Sequence, residues 1–484
     1  MIRPLPQLSE ILFEAGLVAR SFAEYVSGGA LRLGVTGLSR AGKTVFITAL
    51  VNNLIANARL PVLKASAEGR IARAYLEPQP DDAVPRFAYE DHCAALAGED
   101  RRWPQSTRRI SELRLTIEFE HADGWRSRRA RFVLDIVDYP GEWLLDLALL
   151  GKNFHQWSRE TLAACEKPER KALAAEWLSF LGGLDPMAPA DEEIARRAAL
   201  LFTGYLRSAR EATHALSTLP PGRFLMPGDL EGSPALTFAP VRIAEGESLP
   251  AASLGAMMER RYESYKAHVA RPFFRDHFSR LDRQIVLVDA LSALNSGPAA
   301  VRDLENALTE VLQAFRAGRS SRLATMFRPR VDRILFAATK ADYLHHRSHD
   351  RLEDILRLLT GRAIARAEGV GAEIDAIALA AIRATREAQI RQGGEILDAV
   401  IGVPEAGERM GDQVFDGRSE AALFPGELPK EASAVFAGES MSPNPGPSDW
   451  RFLRFRPPPA APGAGWPQIR LDRALQFLIG DRLA

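Results

Sequence analysis

The chain predicts an α/β fold: a mostly parallel sheet with one antiparallel strand, joined to a large helical insertion. Three observations carry that expectation. Residues 31–54, LRLGVTGLSRAGKTVFITALVNNL, pass from an apolar run to helical periodicity across a glycine-flanked turn. Residues 283–289 (RQIVLVD) and 331–339 (VDRILFAAT) are continuous apolar runs bounded by charges, the pattern of strands covered on both faces. The stretch from 142 to about 280 reads almost wholly as helix with mixed charges on its solvated faces.

In chain order, residues 7–27 space Leu8, Ile11, Leu12, Val18, Phe22 and Tyr25 as an amphipathic helix, ended by Gly28 and Gly29. Its polar face sets Arg20 against Glu10, Glu14 and Glu24, so it reads as a helix packed on the fold and not as a basic membrane-surface helix. Strand 31–36, loop 37–42 and helix 43–57 follow. Residues 58–108 are polar and broken by five prolines, with short helical pieces such as 88–97. A segment of that length between strands is usually functional. Residues 111–120 alternate Leu113, Leu115, Ile117 and Phe119 with polar side chains, turn at 121–124 and return over 131–137, which makes an antiparallel hairpin.

Helices are expected over 142–166, 169–182, 190–216 and 254–279, separated by Pro/Gly-rich breaks at 219–234 and 245–250. Strand 283–289, helix 299–318, strand 331–339, helix 349–368 and strand 374–382 complete an alternating pattern. Beyond 390, β-like runs at 395–403, 431–437 and 451–456 precede a Pro/Ala/Gly linker, 457–465, and a last amphipathic helix, 470–483. The organisation that results is an N-terminal helix (1–29), a P-loop domain (30–141 with 281–390), a helical insertion (142–280) and a C-terminal extension packed on the core (391–484).

The chain's 62 basic and 62 acidic residues cancel over 484 positions, which excludes a global electrostatic drive toward nucleic acid or an anionic membrane. Two cysteines without metal-ligand spacing fit a reducing compartment. With no secretory signal and no uncharged run near the ~20 residues of a membrane span, a cytoplasmic protein is expected.

Gly37 to Thr44 has the pattern G-x-x-x-x-G-K-T between strand and helix. A triphosphate needs many donors in a small volume. Gly37 and Gly42 let the backbone bend so that N–H groups face inward. Ser39, Arg40, Ala41 and Val45 complete the loop and the first helical turn, whose dipole favours an anion. Lys43 supplies a point charge to the outer phosphates, and the Thr44 hydroxyl is a hard ligand for Mg²⁺. Arg40 is placed to reach phosphate, a partner or solvent. Lys43 itself is expected in solvent, contributing charge and not packing.

Asp138, at the end of the returning strand, opens D-Y-P-G, which matches the D-x-x-G of nucleotide-sensing loops. Asp138 would hold Mg²⁺ and the Gly141 N–H the γ-phosphate. Asp135, inside the strand, is the competing acid. Glu142 stands where a water-orienting residue would act, or serves as a first-turn helix acid. Thr107 is the candidate Mg²⁺-coordinating threonine of the long segment. Thr339-Lys340-Ala341-Asp342 matches the [N/T]-K-x-D guanine signature. An aspartate there accepts two hydrogen bonds from guanine and is left unpaired by adenine, while the Lys340 stem lies across the base. Ala381, with Ile382, is the backbone candidate for the guanine carbonyl. His345 and His346 read as a surface pair.

The phrases GVTGLSRAGKTVFITALVNNL, DIVDYPGEWLLDLALL, TKADYLHH, FPGELP and RLDRALQFLIGDRL together resemble the bacterial YcjX-like family of P-loop proteins, which is associated with stress response. The resemblance runs over essentially the whole chain. It implies a Ras-like nucleotide domain with a helical insertion that binds GTP or GDP with Mg²⁺. Two readings compete for the chain: slow GTP hydrolysis that switches a protein partner, in the cytoplasm or at the inner-membrane surface, or a nucleotide-dependent scaffold with negligible turnover.

Overall fold

The computed structural model describes residues 29–37, 41–105, 109–122, 129–211, 216–244, 246–317, 331–368, 372–392, 394–436, 452–461 and 463–484. The helix expected over 7–27 lies outside them. Among the described residues seven strands form one sheet: β1 (Leu31–Gly37), β2 (Ile71–Glu77), β3 (Ser111–Glu120), β4 (Arg129–Asp138), β5 (Arg283–Val288), β6 (Arg333–Ala338) and β7 (Glu373–Ala378). Their spatial order is β2-β3-β4-β1-β5-β6-β7. β3 pairs antiparallel with both of its neighbours, and every other pairing is parallel. It is therefore the single strand that runs against the rest, as the hairpin pattern predicts.

The apolar runs alternate between two cores. Ile285, Leu287, Leu335 and Ala337 face one side, with Phe46 and Leu50 of the helix Lys43–Ile55 and with Leu471, Leu475 and Leu478 of the helix Leu471–Ile479. Val286, Val288, Phe336 and Ala338 face the other, with Trp143, Leu291, Leu304 and Leu352. Period-two side-chain direction forces this split, and burial of both sets explains why the runs carry no polar interruption.

Three expectations need correction. The segment 58–108 holds a strand, β2, as well as short helices. β2 is an edge strand, so only Ile71 and Ala74 need burial, and its outer face carries Arg73 paired to Glu118 at 2.7 Å. Charge on an edge blocks further pairing and also hides the strand from a periodicity reading. The helix expected from 142 to 166 is two elements: a 3₁₀ stretch, Gly141–Gly151, and an α-helix, Phe154–Cys165, started by the Asn153 side chain accepting from Gln156 N at 2.8 Å. Of the runs expected at 431–437 and 451–456, Ala432–Phe436 is a 3₁₀ stretch, and 452–456 has a single bridge, Phe455 to Pro404. A three-stranded sheet forms instead from β8 (Arg386–Gln392), β9 (Glu395–Gly402) and Ala421–Leu423.

Between β4 and β5 the longest helix, Glu192–Arg210, is capped by Asp191, which accepts from Glu193 N and Ile194 N at 2.8 and 3.0 Å. Aromatic packing joins it to its neighbours. Trp157 stacks on Tyr262 at 4.9 Å and meets the edge of Phe202 at 6.0 Å.

The helix Leu471–Ile479 is tied to the sheet through Arg283, which is buried at the start of β5. Its guanidinium donates to Asp332 at 3.0 Å, to Asp481 at 2.6 Å and to the carbonyl of Leu478. Arg283→Ala strands the Leu478 carbonyl and leaves two half-exposed acids side by side. It should cost about 3 kcal/mol, the lower end for breaking a buried pair, read as an earlier urea transition, whereas Arg73→Ala at the edge should leave the transition unmoved.

Candidate functional site

Parallel strands place their carboxyl ends together, and the sequence motifs sit on those ends. Gly37 closes β1 beside Leu287 of β5. A Cβ on Gly37 would lie 2.6 Å from the Leu287 carbonyl oxygen, so only glycine allows the chain to leave the sheet here. Gly42 precedes the helix Lys43–Ile55 with φ 79°, a left-handed conformation that glycine adopts without strain. The first turn of this helix carries no acid, and among the described residues no side chain caps it. Its N–H groups and dipole therefore offer an uncompensated positive end. Ala41 and Thr44 are buried, Val45 half-buried. Lys43 is only 8% exposed at the helix's first position, which corrects the expectation of a solvated lysine. Ser39, Arg40 and Thr107 lie outside the described residues.

Asp138 ends β4, buried, in register with Val35 of β1 and Ser111 of β3. That puts it two residues from the end of the strand that feeds the loop. Asp135 lies deeper in the sheet and takes a bidentate pair from Arg114 at 2.6 and 2.7 Å, which occupies it structurally. Tyr139 is buried, accepts from Gln284 Nε2 at 3.2 Å and meets the edge of Phe273.

Gly141 opens the 3₁₀ stretch, and the residues after it are bonded outward into the helices that follow β4. Glu142 is buried and lies 2.5 Å from Arg210 at the end of the helix Glu192–Arg210. Trp143 Nε1 donates to the Met226 carbonyl at 2.9 Å, and Arg223 lies over its ring. Asp146 accepts from Gly222 N at 2.7 Å, and burial raises its carboxyl to about 7. An eleven-residue 3₁₀ run is longer than this geometry normally sustains. A cavity of about 1030 Å³ opens beside Trp143, with Val84, Arg109, Arg223 and His277 also on its wall, so it lies between the entry to β3 and the 3₁₀ stretch.

The third cluster follows β6. Thr339 N donates to the Val288 carbonyl at 2.9 Å. Lys340 is left-handed, φ 62°, and its ammonium pairs with Asp289 at the end of β5. Asp289 also caps the next helix, accepting from Ser292 N at 3.1 Å. Asp342 is 3% exposed; its Oδ2 accepts from Ala384 N at 2.8 Å, and its carbonyl accepts from the Thr385 hydroxyl. Burial is the largest influence on its carboxyl and raises it to about 6, opposed by the Ala384 N–H. A carboxylate has room for about four donors, so a raised value marks one that is short of them and suited to a ligand that donates.

The loop after β7 is braced from afar. Ala380 N donates to the Ile469 carbonyl at 3.1 Å and Arg383 N to Pro467 at 2.7 Å, which leaves Ala381 and Ile382 held between two fixed points. Asp289, Arg210, Ala384, Thr385 and Ile469 were not singled out in the sequence. Only Asp289 left a signal, as an N-cap acid between an apolar strand and a helix.

The sequence matches the family model described as the YcjX-like family, DUF463, over residues 31–483. The chain belongs to the YcjX-like family. Two relatives named "Ras-like GTPase YcjX" are similar along nearly their full length. One, from Escherichia coli (strain K12), is 39% identical over 465 residues, 94% of this chain and 96% of the relative. Another, from Shewanella oneidensis, is 35% identical over 487 residues, 94% of each. Among the described residues no helix is long and apolar enough to cross a membrane.

The buried Asp342 makes a pH test available. Its folded value lies above the usual aspartate range, so the folded state holds this proton more tightly than the unfolded chain. The unliganded protein therefore loses stability as pH rises from 4 through 6. Asp342→Asn removes that loss. Relative to the parent, the variant should gain about 2 kcal/mol between pH 4 and pH 7.5 in urea titrations, and equal pH slopes would refute the assignment.

Proposed function

We propose that this YcjX-like protein is a guanine-nucleotide-binding switch that hydrolyses GTP slowly with Mg²⁺. The observation that carries the reading is the placement of three motifs along the carboxyl ends of one sheet: Gly37 and Gly42–Thr44 after β1, Asp138 to Gly141 after its neighbour β4, and Thr339 to Asp342 after β6, which β5 separates from β1. The name shared by the two relatives agrees with it.

The residues present fit the nucleotide. The Gly37–Thr44 loop with Lys43 would take the phosphates through N–H groups and charge. Asp342 would take the guanine edge, with the N–H groups near Ala381 and Ile382 beside the base and Lys340, steered by Asp289, across it. Thr44 and Asp138 would hold Mg²⁺, with Thr107 as a further ligand. When bound, Mg²⁺ supplies charge neutralisation on the phosphate oxygens. Glu142 is the water-orienting candidate, and its ion pair with Arg210 sets when its carboxylate is available.

The switch follows from where Gly141 sits. A change in its N–H bonding moves a 3₁₀ stretch whose Glu142, Trp143 and Asp146 are bonded to Arg210, Met226 and Gly222. The helical insertion would thus read the γ-phosphate, and the cavity beside Trp143 would change with it. A process in stress response remains part of this proposal.

Excess unlabelled GTP should displace labelled GDP, whereas ATP should be weaker on the order of 10⁴-fold, because a buried acid left unpaired rejects adenine. Equal displacement would sink the guanine assignment. Lys43→Ala should weaken GDP binding about 100-fold, the loss of a charge-assisted contact, with circular dichroism unchanged; calorimetry measures both proteins. Single-turnover assays then separate a hydrolysing switch from a scaffold. Hydrogen exchange should fall in 141–151 with a GTP analogue relative to GDP, and identical exchange would remove the switch.

A further inference from the structure

We propose that the loop following the T-K-A-D motif carries a transition-metal site, formed by His345, His346 and Glu387, that takes Zn²⁺. One ligand atom from each of these three residues can be chosen so that all lie within 4.8 Å of one another. His346 Nδ1 is 2.7 Å and His345 Nε2 3.9 Å from the same oxygen, Glu387 Oε2. Ligands at about 2.0–2.1 Å from a tetrahedral Zn²⁺ stand roughly 3.4 Å apart. The His346 contact therefore opens by less than an ångström, and the His345 contact closes by about half of one.

The surroundings are those of a ligand set and not of a simple surface pair. His345 is buried, and its Nδ1 has no hydrogen bond among the described residues. That nitrogen faces Asp398 Oδ2 at 3.7 Å, and Asp398 is held by Arg347 at 3.0 Å and Gln389 at 3.2 Å. A carboxylate behind the second ring nitrogen is how metal-bound imidazoles are oriented, since it fixes the tautomer that presents the other nitrogen. The second oxygen of Glu387 is turned toward Arg383 at 3.4 Å, which aims Oε2 at the two rings. Nearby His349 differs: its Nε2 is already bonded to the Ala341 carbonyl at 2.9 Å.

The chemistry selects the metal. Arg347 and Arg383 offset the charge of Asp398 and Glu387, so affinity rests on imidazole nitrogen, which suits Zn²⁺ and not Mg²⁺ or Ca²⁺. Three protein ligands leave one position for water. The ion joins residues just after Asp342 to β8 and β9, whose approach supplies Ala384 and Thr385 to Asp342. It would hold that loop in place without touching a nucleotide.

The test is calorimetric titration of metal-free full-length protein with ZnCl₂ in millimolar Mg²⁺, with Co²⁺ absorption reporting coordination. One Zn²⁺ per chain is expected, with a Co²⁺ spectrum of four-coordinate nitrogen/oxygen type. His346→Ala and Glu387→Gln, both at accessible positions, should each weaken binding at least tenfold with unchanged circular dichroism. Asp398→Asn should weaken it 10- to 100-fold by misorienting His345. Cys93→Ser should leave it unchanged. The site is overturned if the folded His346→Ala/Glu387→Gln double variant binds Zn²⁺ as the parent does, or if Cys93→Ser alone abolishes binding. Neither result depends on whether GTP binds.

Discussion

Strand β1 is hydrogen-bonded along both edges to parallel neighbours, with Val35 beside Asp138 and Gly37 beside Leu287. That pairing sets where every other part can be. It fixes the height at which the chain leaves the sheet, and so the point from which the helix Lys43–Ile55 starts. It also sets Asp138 level with the base of the loop. Because side chains on these strands alternate between two buried faces, a slip of one residue would exchange the faces and expose both cores. Register here is specified by packing on two sides at once, which is why the loop can be left with a bare helix N-terminus.

Around that centre the contacts divide by sequence distance. The loop motifs are local, each written within a few consecutive residues after one strand. Their supports are remote: Asp342 is held by Ala384 and Thr385, Glu142 by Arg210, and the loop after β7 by Pro467 and Ile469. In the proposed function, local segments carry the chemistry of recognition. Remote segments decide how firmly each local segment is held, and thus which can move.

This division also explains what could be read from residues alone. β1, β5, β6, β7 and the β3–β4 hairpin were legible because burial writes a periodic signal over several adjacent positions. The P-loop was legible because glycine spacing reports backbone geometry directly. β2 was not, since an edge strand with two buried residues and a salt bridge resembles a polar loop. Lys43 is buried where solvent was expected: the residue type reports charge and says nothing of how deep the start of the helix lies. The partners of Glu142 and Asp342 had no signal, because a single arginine or backbone N–H tens of residues away carries no period. The 3₁₀ stretch reads as an ordinary apolar helix, because its tighter backbone bonding and its bonds to Arg210, Met226 and Gly222 leave no periodic mark.

The strap at Pro467–Ile469 has a consequence for biogenesis. Chains fold progressively as they leave the ribosome, earlier segments first. By the time β7 has emerged, the P-loop, the D-Y-P-G turn and the T-K-A-D motif are all present and the sheet is complete. The loop beyond β7 still lacks both backbone acceptors that hold Ala380 and Arg383, because those are made much later. The nascent protein therefore passes through a stage with a finished sheet and an unbraced rim. The same late segment supplies Leu471, Leu475 and Leu478 to one core, so a truncated product would lose the cover of one sheet face together with the brace on this loop.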